Sequence, residues 1–96
     1  MAAYVIAQIN ITDPKIYEDY KALVPATVSA FGGEFVVRGG EQEALEGVAP
    51  SERTVVLRFP DMAAARAWHA SPDYAKPMAI RQAASNGTLL LVDGVD

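Results

Sequence analysis

The side chains able to do chemistry are few and far apart along the chain. His69 is the only histidine, and it follows Trp68 directly. Imidazole is the natural general base near neutral pH. No nucleophile stands beside it, however, and an active site needs partners at fixed geometry, so a lone helical histidine is more often a surface residue. Arg38 and Arg81 are the better ligand-binding candidates. Arg38 stands where an extended segment runs into Gly39-Gly40, whose missing side chains let a ligand or a backbone approach closely. A guanidinium there can hold a carboxylate or phenolate through two hydrogen bonds. The competing reading is a structural ion pair with a loop glutamate or across a dimer. Arg81 is open to the same reading, closing back on Asp73 or the last strand, and Arg53 reads as a rim charge at a strand start. Tyr17, Tyr20 and Tyr74 together with Trp68 could line an aromatic slot, although such residues are more often core. The hydroxyls of Tyr17 and Tyr74 need partners if buried. They join His69 as the candidates for moving a proton, while Arg38, Arg58, Arg81 and Trp68 are the candidates for holding a ligand.

Other chemistries find no support in the residues. The chain has no cysteine, which removes disulfides, thiolate metal sites and a cysteine nucleophile together. One histidine with no metal-ligand spacing around it predicts no metal. Gly32-Gly33 and Gly39-Gly40 match neither a dinucleotide fingerprint nor a P-loop, so no organic cofactor is expected. A net charge of −4, with eight basic residues scattered along the chain, argues against nucleic acid. No apolar run approaches the ~18–20 residues needed to span a bilayer. The first residues, MAAYVIAQINITD, lack a basic segment ahead of their apolar run, so no leader, no membrane partner and a cytoplasmic location are expected. Ninety-six residues suit one domain, 1–96.

The elements that must position these groups follow from periodicity. Ala3 to Ile11 alternates as a strand, with Val5, Ala7, Ile9 and Ile11 on one side and Tyr4, Ile6, Gln8 and Asn10 on the other. Thr12-Asp13-Pro14 opens a helix whose apolar side carries Ile16, Tyr20, Leu23, Thr27, Val28 and Phe31. Pro25 must kink this helix or break one backbone bond. Gly32-Gly33 ends it, and Glu34 to Arg38 forms a short strand. The acidic stretch from Glu41 to Ser51 reads as a solvated connection. Arg53 to Phe59 is a third strand, and Asp61 caps an alanine-rich helix through Ala70. Ser71-Pro72-Asp73 starts another helix, which runs to about Ala84 with Pro77 inside it. Ser71 is thereby explained as a cap. Asn86-Gly87 then predicts a turn into a last strand, Thr88 to Val92.

The order βαββαβ predicts an α+β, ferredoxin-like fold, a four-stranded antiparallel sheet with its helices on one face. Under the helices go Val5, Ala7, Ile9, Phe35, Val37, Val55, Leu57 and Phe59. The opposite face then carries Tyr4, Ile6, Gln8, Val36, Arg38, Thr54, Val56 and Arg58, too apolar for a freely solvated surface. A second copy laid sheet against sheet, as a homodimer, is the economical solution.

Several of these motifs resemble the DUF1330 family, of unknown function, within the dimeric α+β barrel superfamily. The residues that carry the resemblance are Tyr17, Tyr20, the GGEFVVRGG segment from Gly32 to Gly40, Glu46-Gly47, Arg53, Phe59-Pro60, Trp68, Ser71-Pro72-Asp73-Tyr74 and Arg81. The resemblance implies a ferredoxin-like protomer and a barrel made of two sheets, and implies no established activity. The family commonly has an acidic residue before the Phe-Pro pair, where this chain has Arg58. A lining position there would have its charge preference inverted.

Three functional expectations follow. The first is a cofactor-independent enzyme acting on a small carbonyl or aromatic metabolite, and it rests on superfamily resemblance alone. The second is a non-catalytic binder of a small anionic or aromatic metabolite in the same cavity. The third is a structural or regulatory dimer with no ligand. Whether the protein is an enzyme is left open by the sequence.

Overall fold

Seven elements succeed one another in a computed structural model that describes residues 1–96: β1 (Ala3–Ile11), α1 (Pro14–Ala30), β2 (Glu34–Arg38), β3 (Arg53–Phe59), α2 (Met62–Ala70), α3 (Pro72–Ala84) and β4 (Ser85–Asp93). The strands form one antiparallel sheet in the order β2-β3-β1-β4. This is the expected ferredoxin-like arrangement.

Local chemistry sets the element boundaries. The Asp13 carboxylate accepts from the Ile16 amide at 3.2 Å, with Pro14 in the first turn, and opens α1. Asp61 does the same for α2, accepting from Ala64 at 2.7 Å. Ser71 serves two helices at once. Its hydroxyl donates to the Trp68 carbonyl at the end of α2 and accepts from the Tyr74 amide at the start of α3. One residue thus turns the chain between two helices, leaving its backbone groups satisfied.

Three sequence expectations are corrected, and each correction bears on the site. First, β2 contains a bulge at Val36. Phe35 stands opposite Leu57, but Val37 stands opposite Val56 and Arg38 opposite Val55. The extra residue inverts the alternation, because side chains switch faces every residue. Val37 therefore shares the outer face with Val56, and Arg38 joins Val55 on the helix side, the reverse of the regular pleat. Second, the inward stripe of α1 is Tyr17, Val24, Thr27 and Val28. Ile16 and Leu23 remain exposed, so the helix is turned by about one residue from the expected face. Third, no turn separates α3 from the last strand. β4 starts at Ser85, and Gly87 pairs with Ile9 at φ 151°, where a β-carbon would strike the Gln8 carbonyl.

The core lies between sheet and helices. Its largest fully buried side chains are Trp68, Tyr74, Phe59, Ile9 and Val28. The Trp68 indole N–H donates to Thr27 Oγ1 at 3.1 Å, and that hydroxyl donates to the Val24 carbonyl at 2.8 Å. The buried indole is thus satisfied and fixed in orientation.

Candidate functional site

On the helix side of the sheet, Ala7 sits between Val55 and Leu89, and Ile9 sits between Arg53 and Gly87. The small side chain of Ala7 leaves a hollow beneath α1 and α3. The resulting cavity has a volume of about 20 Å³. Its polar lining comes from four elements: Tyr17, Tyr20 and Lys21 of α1, Arg38 of β2, Arg53 of β3 and Arg81 of α3. No carboxylate lines it. Of the cations lining it, only Lys21 is ion-paired, with Glu18, and the other ion pairs join Arg58 to Glu34 and Asp96 on the outer face. In a chain of net charge −4, three guanidiniums converge on one interior hollow with no anionic side chain to meet them.

Arg38 has a structural task. Pro25 has no N–H, so the Lys21 carbonyl one turn earlier loses its helical donor. Arg38 Nη2 donates to that carbonyl at 2.9 Å, and the guanidinium lies over the Phe35 ring, 4.5 Å from its centroid. Neither a loop glutamate nor Asp73 is involved. The helix is repaired from the neighbouring strand, and the bulge at Val36 is what brings the arginine to it.

Arg53 and Arg81 are different. The Nε of each is buried with no hydrogen-bond partner. Few buried polar groups in a folded protein go unpaired, so each such group calls for an explanation. Arg53, expected at the rim, lies inward in register with Ile9 and 5.8 Å from the centre of the Tyr17 ring. Its guanidinium fills the space that a side chain on Gly39 would take, and Gly39 has a φ of 68°. A β-carbon there would overlap the arginine. Arg81, at the end of α3, approaches the same hollow from above and forms no ion pair with Asp73.

The tyrosines form a second layer. The Tyr17 and Tyr20 rings are 5.3 Å apart, and the Tyr20 and Tyr74 hydroxyls are hydrogen-bonded at 3.0 Å. Burial pushes the Tyr17 phenol above its ordinary range, against the pull of the Arg53 guanidinium beside it. Burial, reinforced by Tyr74, pushes Tyr20 far higher. Both phenols are therefore neutral near pH 7. They can donate a proton in a hydrogen bond, and they are poor bases.

The remaining candidates fall in different places. Tyr74 and Trp68 are buried with their rings 4.2 Å apart, and Trp68 walls the cavity. His69 does not line the arginine cavity. It is exposed on α2, on the rim of a separate apolar groove of about 340 Å³ between α2 and β4. Arg58 lies on the outer face of the sheet, 3.7 Å from Glu34 and 3.5 Å from Asp96, so its charge is met locally. No group of three or more histidine or carboxylate side chains stands close enough to hold a metal ion. Among the polar cavity residues, Arg53 is read from the sequence as a rim charge, Tyr20 only as part of an aromatic slot, and Lys21 is not singled out. The signal for Arg53 was available, since it extends the inward alternation of Phe59, Leu57 and Val55 by one more step.

A family model described as "Domain of unknown function (DUF1330)" matches residues 2–95. No curated protein matches the chain significantly. Among solved structures, a protein of unknown function from Rhodopseudomonas palustris superposes with a TM-score of 0.79 at 18% identity, covering 99% of this chain and 83% of that one. A dimeric ferredoxin-like protein of unknown function from Jannaschia sp. superposes at 0.68 with 20% identity, covering all of both chains. A cofactor-independent oxygenase from Streptomyces nogalater superposes at 0.67 with 17% identity, covering 99% of this chain and 94% of that one. At these identities the likeness is one of fold.

Proposed function

The chain belongs to the DUF1330 family, and we propose that it binds, or binds and transforms, a small anionic or aromatic metabolite between its helices and sheet, using no metal or organic cofactor. The observation that carries this reading is the pair of buried, unpartnered Nε groups of Arg53 and Arg81 over a cavity with no carboxylate. A buried donor without a partner is costly, and a bound carboxylate, phenolate or enolate would offset that cost through charge-assisted hydrogen bonds. Tyr17 and Tyr20, held neutral, would add donors to the same anion. Were chemistry to follow, the groups present favour stabilising negative charge on an oxygen over abstracting a proton. The S. nogalater structure is named an oxygenase that works without a cofactor, which is compatible with such a site. Thermal denaturation with a panel of carboxylates and phenols tests the reading. A ligand specific for the folded state must raise the melting temperature. No shift from any of them at millimolar concentration would remove it.

One observation favours the alternative, a structural or regulatory dimer with no ligand. A volume of about 20 Å³ has room for little more than one water molecule. The second copy would cover the outer face of the sheet, where Val37, Leu90 and Val92 are exposed beside Ile6 and Val56. The Jannaschia structure is described as dimeric, which supports the same assembly here. Light scattering at micromolar concentration decides it, since a clean monomer is incompatible with a sheet-to-sheet pair.

A further inference from the structure

The small volume of the arginine cavity and the size of the groove beside it have a common explanation. The two spaces share Val5, Trp68 and Leu89 as a wall. On one side lie the guanidiniums, in a hollow of about 20 Å³, and on the other lies the groove of about 340 Å³ floored by Val5, Leu89 and Leu91. The first holds no more than a ligand's charged head. The second is within the range of small-molecule pockets, about 300–1,000 Å³, and is mostly apolar. Resting on the anion site argued above, we infer that the two spaces are the head and tail halves of one site, and that its ligand is an amphipathic monocarboxylate with a short aliphatic or aromatic body.

The partition has one fixed and one movable part. Trp68 is held by its hydrogen bond to Thr27 and by its packing on Phe59 and Tyr74. Leu89 is only half-buried, and it belongs to β4, an edge strand paired on one side alone. Leu89 packs against the edge of the core, and a rotamer change there would join the two spaces. The joined site has cationic groups deep inside, apolar walls along its length, and Arg66 and His69 at the open rim. Aromatic and aliphatic acids share the chemistry that such a site recognises, and they are separated by shape in the groove.

Isothermal titration of the unmodified protein with acetate, butyrate, hexanoate and phenylacetate tests the inference. Each methylene buried in the groove should tighten binding about four-fold, so hexanoate should bind about two orders of magnitude better than acetate. Leu89→Trp, which fills the junction, should abolish this gain. Should that variant misfold, the chain-length series on the unmodified protein still decides the matter. Affinity that is flat from acetate to hexanoate, yet lost in Arg53→Met, overturns the two-part site and leaves the anion site standing. Binding that is indifferent to Arg53→Met, or no binding by any of the four acids, overturns both.

Discussion

Arg38 completes a hydrogen bond that Pro25 leaves open, reaching from β2 to the Lys21 carbonyl in the middle of α1. The proline and the arginine are thus energetically linked although they do not bond to each other. Arg38→Ala should cost about 1 kcal/mol, as expected for an exposed hydrogen bond to a charged group. In a Pro25→Ala background the helix regains its own donor, and the same arginine change should cost about 1 kcal/mol less. Urea unfolding of the four proteins in this cycle supplies the comparison, and additive losses would separate the two residues.

Arg53→Met should stabilise the unliganded protein. It removes an unpaired buried Nε, worth about 1–3 kcal/mol, while keeping an apolar stem against Tyr17. Each kcal/mol should appear as about 4–8 °C in the melting temperature of a domain this size. The same variant should lose any carboxylate-induced shift. A residue that costs stability and carries binding is a functional one. A destabilised Arg53→Met protein would instead mark the arginine as scaffold.

Gly39→Ala should destabilise through two effects at once, its positive φ and the overlap with the Arg53 guanidinium. A loss of about 1–3 kcal/mol is expected from the backbone alone. Pairing it with Arg53→Met should recover the steric share and leave the backbone share. Chemical denaturation of the single and double variants measures the two parts.

The alkaline limb of stability should report on the buried phenols. Tyr17 and Tyr20 are raised above the ordinary 10.0 by burial, while in the unfolded chain they ionise near that value. A group whose folded pKa is raised contributes fully below its unfolded pKa. That contribution is lost as pH climbs through the folded one. Melting temperature should therefore fall from about pH 10 upward, and Tyr20→Phe should make the fall shallower. An unchanged slope in that variant would show that Tyr20 ionises as freely in the folded protein as in the unfolded one.

Val56→Glu, on the outer face opposite Ile6 and Val37, should turn a sheet-to-sheet dimer into a monomer while preserving its circular dichroism. Carboxylates buried between two copies would lack partners, which explains the direction of the effect. Sedimentation velocity reads it directly.

How much of this the sequence discloses depends on the kind of signal. Caps and periodicity are local, so Asp13-Pro14, Asp61 and Ser71-Pro72 announce the helices, and the alternation of Val5, Ala7 and Ile9 announces a strand with a buried side. The βαββαβ order then leaves little choice of fold. The site is less legible because it depends on register. Val36 is an ordinary strand residue, and nothing in EFVVR signals that it is the one left unpaired, so Arg38 is assigned to the wrong face. Tyr17 and Ile16 compete for the inward side of α1, and the larger burial goes to the tyrosine for reasons of packing that spacing cannot express. The role of Pro25 is half visible. A freed carbonyl is certain from the sequence, and its partner, thirteen residues after the proline, is not.

The bulge at Val36 makes β2 change parity partway along its length. Before it, odd-numbered residues face the helices, and after it even-numbered ones do, so five residues serve two different alternations. Pairing Val36 into the ladder would restore a single parity, swing the cation out to the far side of the sheet and bring Val37 in beside Val55. A one-residue slip in pairing would thus exchange a charge between two surfaces without altering the composition of any strand. The location of that charge is governed by which residue of β2 is left unpaired, so it depends on register and not on the composition of the strand.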